Sequence, residues 1–222
     1  MSLSMQMAWS ACFIIAGTAW AGSASANSCL PPPGFTDTSH PPIARLDQLV
    51  SHSEEITVDR PLAVVLRAVD KPLSETIKSS ASLPGVTGSY MLTAGAFGPP
   101  GSRRLNCLSD GSTLVEQVLQ RDDHNDTKRF RYVVWNYTSP KARPIVYGVG
   151  EFIYSAVGDG RTHISWTYSF ELNRHRFPGM FGSLGDYLFR ISFLDRSYAS
   201  MMRGVLASTK TDSERLAANG VK

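Results

Sequence analysis

The chain has 222 residues, of which 42% are hydrophobic and 18% charged, so it holds enough apolar material for a folded core and is not wholly disordered. Its 22 Lys and Arg residues nearly balance its 19 Asp and Glu residues, and no polybasic run occurs, so a nucleic-acid-binding protein is not expected. Three cysteines, none in a Cys-x-x-Cys pair, exclude a disulfide-framed miniprotein and provide no zinc or redox motif.

The first 26 residues contain no Lys, Arg, Asp or Glu. An apolar run from Ala8 to Ala21 precedes Ala24-Ser25-Ala26, whose small residues suit cleavage by a signal peptidase. The run is too short for a membrane-spanning helix, which needs about 20 apolar residues. We therefore predict a signal peptide over residues 1–26, cleaved after Ala26, and a periplasmic or secreted mature protein. An uncleaved anchor and a misassigned start are the alternatives.

Cleavage would leave two cysteines, Cys29 and Cys107, in the mature chain. A disulfide can form between them in an oxidising compartment and would tie the new N-terminus to the body of the protein. The alternative is two unpaired thiols, with Cys107 acting as a small apolar residue of a strand.

Residues 27–51 are rich in proline and lack a sustained periodicity, which predicts an N-terminal arm rather than a domain. Alternating apolar residues at 55–59 predict a short strand. Pro61 then opens an apolar-periodic stretch that ends near Val69 and is typical of a helix with proline in its first turn. A second short helix is predicted at 73–80.

The next ninety residues alternate between extended segments and turns. Strands are predicted at 86–94, 102–109, 112–121, 128–138, 145–157 and 161–172. Turn residues such as Ser109-Asp110-Gly111 fill every gap, so consecutive strands are expected to form an antiparallel meander. The last strand alternates most regularly, because apolar residues from Ile164 to Leu172 fall on one face and polar residues on the other.

Beyond Pro178 the apolar residues recur at steps of three and four, which predicts one amphipathic helix from about 179 to 207 that packs on the sheet. A coiled coil is the competing interpretation. Residues 209–222 are polar and are predicted to form a fraying C-terminal tail. The predicted apolar stripe consists of Met180, Leu184, Tyr187, Ile191, Leu194, Tyr198, Met201 and Val205.

Residues 52–208 also contain a series of short motifs in a fixed order. They are Asp59-Arg60-Pro61, Leu83-Pro84-Gly85-Val86, Gly101-Ser102-Arg103-Arg104, Asp110-Gly111, Glu116, Tyr132, Tyr147-Gly148 and Thr162-His163-Ile164-Ser165-Trp166. Together these residues resemble the START-like (SRPBCC) superfamily, in particular its polyketide cyclase/dehydrase and lipid-transport group. Leu66 departs from the pattern, since many relatives have Trp there. The resemblance implies an α+β helix-grip fold, in which a curved seven-stranded antiparallel sheet, with two short helices after its first strand, wraps around a long C-terminal helix.

The resemblance further implies an apolar cavity between sheet and helix that holds a hydrophobic small molecule. No cofactor or metal ion is predicted. Large aromatic residues and methionines on the inward stripes are compatible with such a pocket, although the same side chains could simply fill the core. The ligand-binding candidates are Arg104, Glu116, Tyr132, Tyr147, Trp166, Tyr168, Tyr187 and Met201.

Two of these candidates are expected to form a pair. A three-residue turn at Ser109-Asp110-Gly111 places Arg104 directly opposite Glu116 on the neighbouring strand. On the concave face of the sheet this ion pair would be buried and could orient a carboxylate or ketone of a ligand. On the convex face it would be a weak surface pair. The apolar pattern does not decide the face, and a two-residue turn would break the pair.

The sequence therefore predicts an exported protein that binds or carries a lipid, an isoprenoid or a polyketide-like molecule. Transient contact with a membrane is compatible with this role, and no protein partner is indicated. One alternative is a cyclase or dehydratase that uses cavity Tyr, Arg and Glu residues as acids and bases. Another is an accessory protein that docks on a periplasmic complex. The five histidines are dispersed and no nucleophile motif occurs, which favours binding over catalysis.

Overall fold

The computed structural model describes residues 29–158 and 160–218. The predicted signal peptide at 1–26 lies outside the described residues. Within them, no helix combines the length and the hydropathy that a membrane span requires.

Seven strands form a single antiparallel sheet. They are β1 (Val50–Val58), β2 (Val86–Met91), β3 (Arg103–Leu108), β4 (Thr113–Asp123), β5 (Thr127–Trp135), β6 (Ile145–Val157) and β7 (Arg161–Leu172). The spatial order is β1-β7-β6-β5-β4-β3-β2, so β2 to β7 form the predicted meander and β1 adds to its last strand. β1 is longer than the strand predicted at 55–59. It begins at Val50, within the segment 27–51 that was predicted to form the N-terminal arm.

Two short helices, α1 (Leu62–Val69) and α2 (Leu73–Thr76), connect β1 to β2. The C-terminal helix has three parts: α3 (Ser183–Phe189), a π-helical segment (Arg190–Tyr198) and α4 (Ala199–Ala218). α4 packs against α1 and β1. The predicted helix-grip arrangement is confirmed.

The C-terminal helix continues to Ala218, well beyond the predicted end at 207, so residues 209–218 are not a frayed tail. Small polar side chains let this part pack closely. Thr209 and Ser213 are buried, and the Ser213 hydroxyl donates a hydrogen bond to the Thr209 carbonyl oxygen at 2.7 Å. Asp212 forms an ion pair with Lys71 from the α1–α2 connection.

The first half of the predicted apolar stripe does not face the sheet. In this half of the helix the buried residues are Gly185, Phe189, Leu194 and Ala199, and the last three recur at steps of five that follow the wider turn of the π-helical segment. An α-helical step of three or four cannot describe this face, which is why Leu184, Tyr187 and Ile191 stand exposed on the outer side.

The N-terminal arm covers the convex face of the sheet. Phe35 and Ile43 of the arm pack against a second apolar cluster. The sheet and the residue that precedes β1 contribute its buried members, Leu49, Val115, Val133, Trp135, Tyr147 and Val149. The Ala44 N–H also donates a hydrogen bond to the Tyr147 hydroxyl at 2.8 Å. The centre of the sheet is therefore apolar on both faces.

A disulfide joins Cys29, at the start of the arm, to Cys107 on β3, with 5.6 Å between the two Cα atoms. Gly88 on the neighbouring β2 provides the space, since a Cβ there would lie only 3.0 Å from the Cβ of Cys29. The bond fixes the start of the arm on the convex side of the sheet.

Replacing both Cys29 and Cys107 by Ser is expected to lower the free energy of unfolding by about 2–4 kcal/mol, because the bond closes a loop between residues 78 apart and restricts the unfolded chain. Chemical denaturation with and without reductant measures this. Reductant should destabilise the wild-type protein and leave the double variant unchanged. Free thiols at both positions in unreduced wild-type protein would contradict the prediction.

Candidate ligand-binding cavity

A cavity of about 810 Å³ lies between the concave face of the sheet and the C-terminal helix. This volume falls within the range of small-molecule sites, which is roughly 300–1,000 Å³. Eleven of the lining residues are aromatic. They are Phe97, Phe130, Tyr132, Tyr137, Phe152, Tyr154, Trp166, Tyr168, Phe170, Phe193 and Tyr198.

Rings on the same strand and on neighbouring strands pack against one another along the sheet. Phe152 on β6 stacks on Trp166 on β7, with ring centroids 4.4 Å apart. Phe130 and Tyr132 on β5 lie 5.5 Å apart, and Tyr132 is stacked with Phe152 at 6.5 Å. Alternate residues of a strand share one face, so these contacts keep the rings in a layer on the concave side. Because the rings pack within that layer, the space in front of them stays open.

Two glycines on β6 make room for the tyrosine rings. Gly150 lies between Tyr132 on β5 and Tyr168 on β7 in the strand register. A Cβ at Gly150 would overlap the ring of Tyr132, and a Cβ at Gly148 would overlap the ring of Tyr168. The two rings therefore lie across the bare backbone of β6.

Burial raises the pKa of Tyr132, Tyr168 and Tyr198 well above the ordinary tyrosine value, and for Tyr132 and Tyr198 the nearby Glu116 carboxylate adds to the effect. Burial also raises the pKa of Tyr137 and Tyr154. These hydroxyls therefore stay neutral and can donate hydrogen bonds. The Tyr168 and Tyr198 side chains are neighbours in the wall, with their ring centroids 4.8 Å apart.

Trp166 lies in the cavity wall, but its indole nitrogen is not accessible from the open space. Its side chain is almost fully buried, and its Nε1–H has no hydrogen-bond partner within the part of the chain that the structure describes. The Tyr132 hydroxyl lies nearby but outside hydrogen-bond geometry. A buried N–H without an acceptor costs roughly 1–3 kcal/mol, so a small movement that brings the Tyr132 hydroxyl into hydrogen-bond geometry would be favoured here.

The register of β3 and β4 pairs Arg104 with Glu116, as the turn predicts, and both residues line the cavity on the concave face. Arg104 Nε donates to Glu116 Oε2 at 2.8 Å, and Asn106 Nδ2 donates to the same oxygen at 2.9 Å. The Arg104 guanidinium carbon also lies 3.7 Å from the ring centroid of Phe97. The charges are thus compensated within a largely apolar wall.

This arrangement leaves polar atoms for a ligand. Both hydrogen bonds to Glu116 fall on Oε2, and within residues 29–158 and 160–218 no hydrogen bond reaches Oε1. Asn106 is held in place by Ser89, whose hydroxyl donates to Asn106 Oδ1 at 2.6 Å. Oε1 can therefore accept a proton-bearing group, and the guanidinium nitrogens other than Nε can bind a carboxylate or ketone oxygen.

Six of the eight predicted site residues line this cavity: Arg104, Glu116, Tyr132, Trp166, Tyr168 and Met201. The other two do not. Tyr147 lies on the convex face, where its hydroxyl accepts the hydrogen bond from Ala44 under the arm. Tyr187 is 58% exposed on the outer side of α3, because the π-helical segment changes which residues face the sheet.

Several wall residues were not predicted, among them Phe130, Tyr137, Phe152 and Tyr154. The first of these could have been found, since Phe130 precedes Tyr132 by two residues and shares its face. Phe152 follows from the pairing of β5 with β6. Among the described residues, no cluster of His, Cys, Asp and Glu side chains could hold a metal ion.

No protein-family model and no curated protein matches the sequence. Solved structures do match the fold. The di-domain ARO/CYC StfQ from the steffimycin biosynthetic pathway gives a TM-score of 0.54 at 16% identity, over 78% of this chain and 53% of that one. Ara h 8.0201 gives 0.53 at 13% identity over 74% and 97%. The hypothetical protein jhp0584 from Helicobacter pylori gives 0.53 at 11% identity over 80% and 99%. The START-like helix-grip fold that the motifs predict is confirmed.

Replacing Gly150 by Ala is expected to lower the free energy of unfolding by about 1–3 kcal/mol, because the new methyl group would displace the Tyr132 ring. Urea denaturation measures the change, and near-ultraviolet circular dichroism reports the displaced ring. Gly204→Ala is the matched control, since a Cβ at this exposed helix position meets no atom within 4 Å and should be neutral or stabilising. Equal stabilities for the two variants would contradict the role assigned to Gly150.

Proposed function

We propose that the protein is exported and binds or carries a hydrophobic small molecule with a polar end, such as a lipid, an isoprenoid or a polyketide. The observation that carries this proposal is the cavity of about 810 Å³, with its aromatic residues and the largely buried ion pair of Arg104 and Glu116 in its wall. Such a site combines a large apolar contact area with few polar groups that fix orientation.

The wall suggests how the ligand would be held. Its apolar body would contact the stacked rings around Phe152 and Trp166. Its polar end would reach Arg104 and Glu116, where a hydroxyl can donate to Oε1 and a carbonyl or carboxylate can accept from the guanidinium. The tyrosine hydroxyls would provide further donors.

Two features support export. The first 26 residues are charge-free and end in a pattern that suits signal-peptidase cleavage. The bond between Cys29 and Cys107 is of a kind that persists in oxidising compartments such as the periplasm or the extracellular space. A carrier in either place would keep a hydrophobic molecule away from water.

An enzyme of the cyclase or dehydratase type is the second candidate. It is favoured by the convergence of the Glu116 carboxylate with several tyrosine hydroxyls in one cavity. However, burial raises the pKa of those tyrosines and makes them weak acids at neutral pH. Glu116 is also hydrogen-bonded to Arg104 and Asn106. The binding role therefore needs fewer assumptions.

Filling the cavity should abolish binding. Protein purified without detergent is expected to release a lipophilic molecule on solvent extraction, detected by mass spectrometry, and to bind a fluorescent fatty acid once emptied. Met201→Trp, which adds bulk to the wall, should weaken the binding of that probe by about tenfold or more. Tyr187→Trp is the control, because it adds a similar ring outside the cavity and should leave binding unchanged.

The proposal fails if the wild-type protein releases no lipophilic molecule and binds no probe. It also fails if Met201→Trp binds as tightly as the wild type while circular dichroism shows that it is folded.

Glu116→Gln separates binding from catalysis. Removing this charge leaves Arg104 uncompensated, so a fatty acid should gain affinity relative to the matching alcohol by about tenfold. Isothermal titration with both ligands measures the ratio. Asp37→Asn is the matched control, because this carboxylate of the arm pairs with Arg103 and neither residue lines the cavity. An enzyme would instead lose turnover in Glu116→Gln while still binding its substrate. An unchanged ratio would contradict the role assigned to Glu116.

A further inference from the structure

The segment at 177–191 carries a dense group of exposed large apolar side chains. We call them the apolar patch: Phe177, Met180, Phe181, Leu184, Tyr187 and Ile191, each 38–64% exposed. The remaining described residues contribute only Leu30, Leu46, Tyr90 and Val157 to this class. Isolated exposed apolar residues are ordinary, but six within fifteen residues mark an interaction surface.

The local backbone explains why these side chains point outward. Gly185 of α3 packs directly on the Pro178 carbonyl, and a Cβ there would overlap it. Gly179 is packed equally closely on Asn173. The inner side of this segment is therefore formed by small residues, together with the buried Phe189. The large apolar residues have no place in the core, so folding does not account for them.

Positive charge surrounds the apolar patch. The exposed arginines Arg174 and Arg176 precede it in sequence and Arg190 lies within it. Arg174 pairs with Asp186 at 2.7 Å, and Arg190 pairs with Asp195 at 3.5 Å. The β5–β6 connection adds Lys141 and Arg143 and is held beside the patch by the hydrogen bond from Asn173 N–H to the Pro144 carbonyl at 2.7 Å. We call these five cationic residues the basic collar.

From this arrangement we infer that the apolar patch and the basic collar dock on the surface of an anionic lipid bilayer. Apolar side chains would enter the boundary between headgroups and acyl chains, while the collar would contact the negative headgroups. A second copy of the chain is a poorer occupant, because a two-fold contact would bring the two basic collars together.

The surface lies next to the cavity. Ser139, Lys141 and Ala142 of the β5–β6 connection line the cavity wall, so docking would hold this end of the cavity against the bilayer. The inference itself does not depend on which molecule the cavity holds.

Sedimentation with lipid vesicles tests the inference. The full chain should bind vesicles of equimolar phosphatidylcholine and phosphatidylglycerol more tightly than vesicles of phosphatidylcholine alone, and salt should weaken the binding. The double variant Phe181→Ser/Leu184→Ser should lose at least roughly tenfold in partitioning, through the apolar area that it removes. Arg176→Glu should lose the preference for anionic vesicles.

Val157→Ser is the matched control, because it removes an exposed apolar side chain at the opposite end of β6 and should bind as the wild type does. All variants keep the same charge-free N-terminal residues, so binding through those residues would appear equally in each. Absence of vesicle binding, or equal binding by the wild type and the Phe181→Ser/Leu184→Ser variant, would overturn the inference. So would a dimer that this variant converts to a monomer without any change in vesicle binding.

Discussion

The C-terminal helix is attached at one edge of the sheet, and the cavity depends on that attachment. Arg203 forms an ion pair with Glu54 on β1, and Asp195 accepts a hydrogen bond from His52 Nδ1 at 2.7 Å. Lys210 reaches the carbonyl oxygen of Thr57 at the end of the same strand. A helix held along β1 leaves the concave surfaces of β3 to β5 facing open space, because the sheet curves away from it. The cavity therefore exists because the C-terminal helix is held at the β1 edge of the sheet.

A cavity of this kind stays open only if the side chains that line it are held in place in the absence of a ligand. The stacked pair of Phe152 and Trp166 satisfies much of its dispersion contact within the sheet, at 4.4 Å between ring centroids. Gly148 and Gly150 allow neighbouring tyrosine rings to lie flat across β6, which thickens the wall without advancing it into the cavity. The arm and its disulfide support the opposite face of the same strands. The layer of rings is therefore held by contacts among the rings themselves and by the arm on the opposite face of the sheet.

Alternation and turn residues were enough to predict the meander, and the turn before Ser112 was enough to predict that Arg104 faces Glu116. The face of that pair was not predictable, because the arm makes the convex side apolar as well. Tyr147 was misplaced for the same reason, since both faces of β6 carry large apolar residues. The position of Tyr187 depends on the π-helical segment, whose wider turn leaves no signature in a pattern of apolar residues. The volume of the cavity depends on the distance between the sheet and the C-terminal helix. The spacing of apolar residues along the sequence does not determine that distance.

The polar groups of the wall narrow the class of molecule that fits it. In the part of the wall around the Arg104–Glu116 pair, tyrosine hydroxyls and the Arg104 guanidinium are donors, and Glu116 is a charged acceptor. A pure hydrocarbon would displace water from these groups and leave them unpaired, at a cost of roughly 1–3 kcal/mol for each group. A molecule with one or two oxygen atoms recovers those hydrogen bonds and keeps the contact of its apolar body with the rings. An amphipathic ligand is therefore favoured over a hydrocarbon of equal size, and the Arg104–Glu116 pair determines which of its ends enters that part of the cavity.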